Sequence, residues 1–282
     1  MKAREIRHGD VRLASESWGD PADPTTLLIM GAVSSGVWWP ADLCAALASR
    51  GRHVIRYDHR DTGASTHYPL GAPGYDLEDF AADAVAVLDG YGVARAQLVG
   101  MSLGGFLAQL VALAHPPHVA SLVLFASERL AETDPDMPEM DPAVVAYGEK
   151  AQDLDWSDRD AVVAYQVGAW RISAGSAYPF DAEAIAALAG EEFDRNPDPQ
   201  SAFNHAKLDG AKQWLGRLDE IHLPVTIVHG TEDCVLPYAH AEALHAALAG
   251  SRLVTLPGVG HELPRGAWPT ILDAIVDNAS AS

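Results

Sequence analysis

The stretch "LVGMSLGGF" (residues 98–106) sets Ser102 at the end of an apolar run and surrounds it with Gly100, Gly104 and Gly105. The run reads as a buried strand. The next segment, "SLGGFLAQLVALAHP" (102–116), has helical spacing, so strand passes to helix with almost no loop. So tight a turn forces unusual backbone angles and close approach, which glycines relieve. The serine is thereby lifted to the carboxyl edge of a sheet, where open α/β folds bind ligands. It also meets a helix N-terminus, whose free N–H groups favour developing negative charge. Gly100-Met101-Ser102-Leu103-Gly104 fits the G-x-S-x-G nucleophile elbow. Taken alone, the pentapeptide also fits a glycine-relieved turn in which Ser102 caps the helix.

The pattern outward from this turn favours the nucleophile elbow. "IRHGDVRLASESWG" alternates around a tight "HGD" and predicts a hairpin. "TTLLIMG" (25–31) and "HVIRYD" (53–58) are short apolar strands, and "PADLCAALASRG" (40–51) between them has helical spacing. "DLEDFAADAVAVLDGYG" (76–92) is a helix capped near Asp76, with acids in its first turn. Strand "VASLVLFAS" (119–127) comes next. Such alternation of strand and helix predicts βαβ crossovers and a mostly parallel sheet. From 128 to 218 the alternation stops, and the chain turns acidic, Ala-, Pro- and Trp-rich and helical, as in "DAVVAYQVGAWRI" (160–172). It resumes with "PVTIVHG" (224–230), "AHAEALHAALAG" (239–250), "SRLVTLPG" (251–258) and a helix near 266–278. The expected organisation is a core of 1–127 and 219–282 with a helical cap of 128–218.

With 282 residues, 48% hydrophobic and 21% charged, the composition is that of a globular protein. No apolar run reaches the ~20 residues of a membrane span. The start "MKAREIRHGDVRLAS" lacks an apolar signal core, so a cytoplasmic protein is expected. Cys44 and Cys234 are too few for a disulfide framework, and no Cys/His cluster suggests a metal. A net charge of −20 disfavours nucleic acid and anionic membranes as partners. A small neutral or cationic molecule suits it better, and no cofactor is expected.

A serine hydroxyl needs a base, and the base needs an orienting acid. In this fold class the chain order is Ser, then Asp or Glu, then His. "TIVHGTEDCVLP" ends a strand and delivers Asp233, with Glu232 as the rival acid. "LVTLPGVGHELP" ends the last strand and delivers His261. Asp233 could instead cap a turn and His261 could be an ordinary loop histidine, but order and sheet edge agree for all three. The oxyanion donors are expected to be the main-chain N–H of Leu103 and that of Ala32 after "LLIMG", with Val33 the other candidate.

Across nearly its whole length the sequence resembles the α/β-hydrolase superfamily, on "GMSLGG", "GTEDCVLP" and "GVGHELP". "VIRYDHRDTGAST" (54–66) and "FAADAVAVLDGYGVARAQLVGMSLGG" are closest in wording to the anthracycline (aclacinomycin) methylesterases and related bacterial ester hydrolases. The resemblance implies Ser102, Asp233 and His261 as a triad. Met30-Gly31 stands where many members have His-Gly, a departure that this subgroup shares. Asp58, Arg60 and Asp61 are expected to hold their own loop.

Val33, Trp38 and Trp39 after the oxyanion loop, with Trp170, His205 and Trp214 in the cap segment, are candidate substrate contacts. The aromatic ones could equally be core residues, and His205 a solvated helix histidine. Together they point to a bulky hydrophobic ester or lactone, such as a polyketide or macrolide antibiotic. The same fold also hosts cofactorless dioxygenases, perhydrolases, C–C hydrolases, hydroxynitrile lyases and non-catalytic binding proteins.

Overall fold

A computed structural model describes residues 1–279. Eight strands form one sheet: β1 (Lys2–His8), β2 (Val11–Trp18), β3 (Thr25–Ile29), β4 (His53–Tyr57), β5 (Ala96–Met101), β6 (Val119–Phe125), β7 (Val225–Gly230) and β8 (Arg252–Leu256). Their order is β1-β2-β4-β3-β5-β6-β7-β8. The hairpin β1–β2 and the β2–β4 pair are antiparallel, and all later pairs are parallel.

Successive strand residues point to opposite faces, and both faces are apolar. Leu27, Ile29, Leu98, Leu122, Leu124 and Ile227 pack on one side with residues of α2 (Leu77–Gly90), α3 (Leu103–Ala114) and α7 (Ala239–Ala247). Leu28, Val54, Val99, Met101, Val123 and Val228 pack on the other with α1 (Ala41–Ala48) and α8 (Trp268–Ala279). This double burial is why the strands read as continuous apolar runs. Asp76 caps α2 in a capping box with Asp79. The architecture is the α/β-hydrolase fold, a mostly parallel sheet flanked by helices.

Between β6 and β7 the described chain has no strand. It forms α4 (Pro142–Gly148), α5 (Arg159–Ser173), α6 (Ala182–Arg195) and several 3-10 turns, the longest over Pro199–Lys207. The two ends of this insert pack into the core: Leu130 at one end, and Leu208, Ala211, Leu215 and Leu218 at the other, join the α2–α3 side. No helix among the described residues is long and apolar enough to cross a membrane.

Candidate active site

Ser102 has φ 53° and ψ −121°, far from a helix and outside the favoured regions for a residue with a side chain. The surroundings enforce this. A Cβ on Gly104 would lie 2.1 Å from the Ile29 carbonyl oxygen, and one on Gly100 would lie 2.1 Å from that of Gly104. β5, β3 and α3 therefore meet backbone to backbone, as only glycine allows. Ser102 does not cap α3 with its side chain. Its main-chain N–H donates to the Phe125 carbonyl at 2.9 Å, and its own carbonyl accepts from Ser127 Oγ at 2.8 Å. The elbow is thus fixed through its backbone, and its hydroxyl makes no hydrogen bond among the described residues.

Asp233 and His261 meet in the loops after β7 and β8. His261 Nδ1 lies 2.8 Å from Asp233 Oδ2. Asp233 Oδ1 accepts from the N–H groups of Val235 and Leu236 at 2.9 and 2.8 Å. A further histidine, His229, stands with Nε2 3.3 Å from Asp233 Oδ2 and 2.8 Å from the Leu236 carbonyl oxygen. Burial alone would raise the Asp233 carboxyl, but the hydrogen bonds from His229 and His261 outweigh it and hold the group well below the usual carboxylate range. His261 Nε2 makes no hydrogen bond among the described residues. No hydrogen bond joins it to Ser102 Oγ; such contacts are often long in ligand-free enzymes and tighten with substrate. The rival acid Glu232 is engaged elsewhere, accepting from Ser176 N–H and Oγ at 2.7 and 2.8 Å.

The loop after β3 runs directly beside the serine, since a Cβ on Gly31 would lie 3.2 Å from Ser102 Cβ. Val33 N–H donates to His205 Nδ1 at 3.0 Å. Ala32 N–H makes no hydrogen bond among the described residues. Leu103 opens α3, where the helix itself does not use the N–H.

The other expected substrate contacts divide. Trp38 and Trp170 stack, with ring centroids 4.7 Å apart, and both line a cavity of about 900 Å³. Tyr178, Phe180, Leu188 and Trp268 also line it. Glu262 and Leu263, next to His261, form part of its wall, whereas Ser102 does not. Trp39 is fully buried in the core cluster that also holds Trp38 and does not line the cavity, contrary to its expected role as a substrate contact. Trp214 packs against the α2–α3 side, with Arg217 over its ring, and lines a separate groove with Asp76, Glu78 and His115. His205 is neither solvated nor turned towards a substrate. It is buried, with Nδ1 on Val33 N–H and Nε2 donating to the Arg60 carbonyl at 2.8 Å. Val33 is partly exposed at φ 56° and offers a side chain to solvent but not to the cavity.

Asp58, Arg60 and Asp61 hold their loop and its neighbours. Asp58 accepts from Gly36 and Ala64 N–H, Arg60 forks onto Asp83, and Asp61 accepts from Tyr75 Oη and Asn204. Two supporting residues are not anticipated from the sequence. His229 carries no local signal. Glu192 does, because it falls on the helical stripe of Ile185, Leu188 and Ala189, an acid on an apolar face. No group of three or more His, Cys, Asp or Glu among the described residues could hold a metal ion.

A sheet of this order with a strained serine between β5 and α3 defines an α/β-hydrolase. More particularly, the chain belongs to the Hydrolase_4 family (serine aminopeptidase, S33), whose model matches residues 22–265. It is 32% identical to rhodomycin D methylesterase DnrP of Streptomyces peucetius, over 100% of this chain and 99% of the relative. The same identity and coverage hold for DauP of Streptomyces sp. (strain C5). Among solved structures, the esterase RhEst1 from Rhodococcus sp. ECU1013 superposes with a TM-score of 0.78 at 21% identity, covering 100% of this chain and 99% of that one. An enol-lactonase from Burkholderia xenovorans LB400 gives 0.76 at 22%, covering 98% and 100%. At these identities the two structures speak to the fold alone.

Proposed function

We propose that the protein is a serine carboxylic ester hydrolase in which Ser102 is the nucleophile, His261 the base and Asp233 the orienting acid. The observation that carries this is the pairing of a hydrogen-bonded Asp233–His261 couple with a strained serine at the same sheet edge. In this reading Ser102 Oγ attacks the ester carbonyl carbon while His261 Nε2 takes its proton. The carbonyl oxygen becomes an oxyanion held by Ala32 and Leu103 N–H. Collapse of the adduct expels the alcohol, which receives that proton from His261. Water then repeats the sequence on the acyl-enzyme and releases the acid.

The full-length relatives are named for the methyl ester of rhodomycin D, which favours methanol as the leaving alcohol and places the bulk on the acyl side. A bulky hydrophobic acyl group, or a lactone, suits the aromatic cavity behind Trp38 and Trp170. The insert, in this reading, caps the site and supplies that wall. The test is a panel of methyl esters and lactones of bulky aromatic acids, followed by mass spectrometry with wild type and Ser102→Ala. Methanol release or addition of one water, lost in the folded Ser102→Ala protein, is expected. Undiminished turnover in that variant would remove Ser102 as nucleophile. A wild type inert to every ester and to fluorophosphonate would favour a binding protein.

A further inference from the structure

The loop that carries Ala32 is strained, and the sheet alone does not hold it. Val33 is β-branched yet sits at φ 56°, a conformation that such residues avoid and that persists only where neighbours over-determine it. Two of the neighbours come from the insert. His205, in the 3-10 stretch after α6, accepts Val33 N–H at 3.0 Å. Glu192, on α6, accepts Ser35 N–H at 3.1 Å and Ser35 Oγ at 2.5 Å. Both acceptors are buried, at 6% and 7% exposure, so neither bond competes with water. Their far sides are tied as well: His205 Nε2 donates to the Arg60 carbonyl, and Glu192 shares α6 with Arg195, which pairs with Asp58 and Glu16 of the core. The core contributes two more restraints, His59 Nε2 on the Met30 carbonyl at 2.9 Å and Asp58 Oδ1 on Gly36 N–H at 3.0 Å. From 30 to 36 the loop is therefore clamped from both sides, and the N–H left over is that of Ala32, which follows Gly31, the residue packed against Ser102.

Resting on the ester-hydrolase reading above, we propose that Glu192 and His205 are positioning residues through which the insert sets the oxyanion donor at Ala32. The insert would then contribute to the chemical step itself, in addition to walling the substrate cavity. A donor held in place costs no reorganisation when the oxyanion forms. Removing the Val33 clamp lets the strained peptide relax and turns the adjacent Ala32 N–H away from its target.

The test uses the full chain with four variants. His205→Leu and Glu192→Met delete the acceptors. In His205→Asn the amide oxygen can take the place of Nδ1, and Glu192→Gln keeps an acceptor without charge. Hydrolysis of an aryl acetate is measured per active site, counted by complete fluorophosphonate labelling, together with the affinity of an aryl boronic acid that forms a tetrahedral adduct on the serine. The deletions should lower kcat about 10- to 100-fold, up to the roughly 100-fold cost of a misplaced group and below that of a donor lost outright. KM should stay within about twofold, the signature of an interaction made only in the transition state. Boronic acid binding should weaken in parallel, and the Asn and Gln variants should recover most of both losses. Should the deletions fail to fold, Ser35→Ala removes one bond to Glu192 and should still lower kcat severalfold. Wild-type kcat per site in the folded variants, or a raised KM with kcat intact, overturns the inference and leaves the hydrolase reading standing. An unmutated chain that neither labels nor cleaves would overturn both, and is told apart by needing no variant.

Discussion

Replacing Asp233 by Asn tests the assignment of the acid most sharply, because the carboxylate is bonded on both oxygens. Oδ1 accepts two main-chain N–H groups, from Val235 and Leu236. Asparagine must keep its own oxygen there, since the backbone donors cannot turn away. Its amide NH2 then takes the place of Oδ2 and faces His261 Nδ1 at 2.8 Å and His229 Nε2 at 3.3 Å. His261 Nδ1 can meet that group only as an acceptor, which moves the ring proton to Nε2. In that tautomer Nε2, the proposed base atom, already carries a proton and cannot take another from the proposed nucleophile, Ser102. A tautomer exchange of this kind lowers kcat by roughly 10⁴, or about 5.5 kcal/mol of barrier. In the proposed mechanism these bonds orient the base and do not hold the substrate, so KM should change little. The assay is steady-state hydrolysis of an aryl acetate with the initial burst followed in the same traces, alongside thermal melting to establish folding. A folded Asp233→Asn protein within tenfold of wild-type kcat refutes the reasoning. Glu232→Gln is the companion: the Glu232 side chain bonds Ser176 of the insert, so kcat should stay within about threefold. A crippled Glu232→Gln beside a nearly silent Asp233→Asn would transfer the acid to Glu232.

Gly104→Ala should destabilise by about 3 kcal/mol or prevent folding, because the added carbon would lie 2.1 Å from one strand carbonyl oxygen and 2.6 Å from the next; an unchanged urea midpoint would show that the turn can yield. Trp170→Ala should lower kcat/KM for a bulky aromatic ester about 10-fold more than for an aryl acetate, the value of one buried ring; equal losses on both substrates would make the Trp38–Trp170 stack purely structural. Acid should unfold the protein early. Burial pushes His59 and His205 down to about 4 from 6.5, so their contribution is full above pH 6.5 and is lost as pH falls towards 4. Glu192, pushed up to about 7 from 4.5 by burial, opposes them with a contribution present below 4.5 and lost as pH rises through 7. Taken by themselves, these two histidines and one glutamate leave the unfolded chain about one proton ahead between 4.5 and 6.5. That is a stability loss on the order of 2–3 kcal/mol on acidification across this window. Urea midpoints at the two ends of it should show this, and a higher midpoint at the acid end would contradict it.

What the sequence determined by itself is whatever local sterics and periodicity control. Gly100 and Gly104 around Ser102 could serve only a crowded strand-to-helix turn, and both prove to be pressed against backbone. Apolar runs spaced by helical segments dictated the parallel sheet, and the ends of those runs placed Ser102, Asp233 and His261 at one edge in the expected order. Tertiary structure decided everything that depends on partners distant in the chain. Adjacent carboxylates are equivalent as letters, but only Asp233 faces His261, because Glu232 is turned to Ser176, 56 residues away. Trp38 and Trp39 are likewise neighbours in sequence and share one core cluster, but only Trp38 also reaches the cavity, where it stacks on Trp170. In the proposed oxyanion hole Ala32 is preferred to Val33 because His205, 172 residues further on, takes the Val33 N–H and leaves that of Ala32 unengaged. A main-chain donor carries no mark in the sequence, and what occupies it is set by whichever side chain the fold brings within about 3 Å.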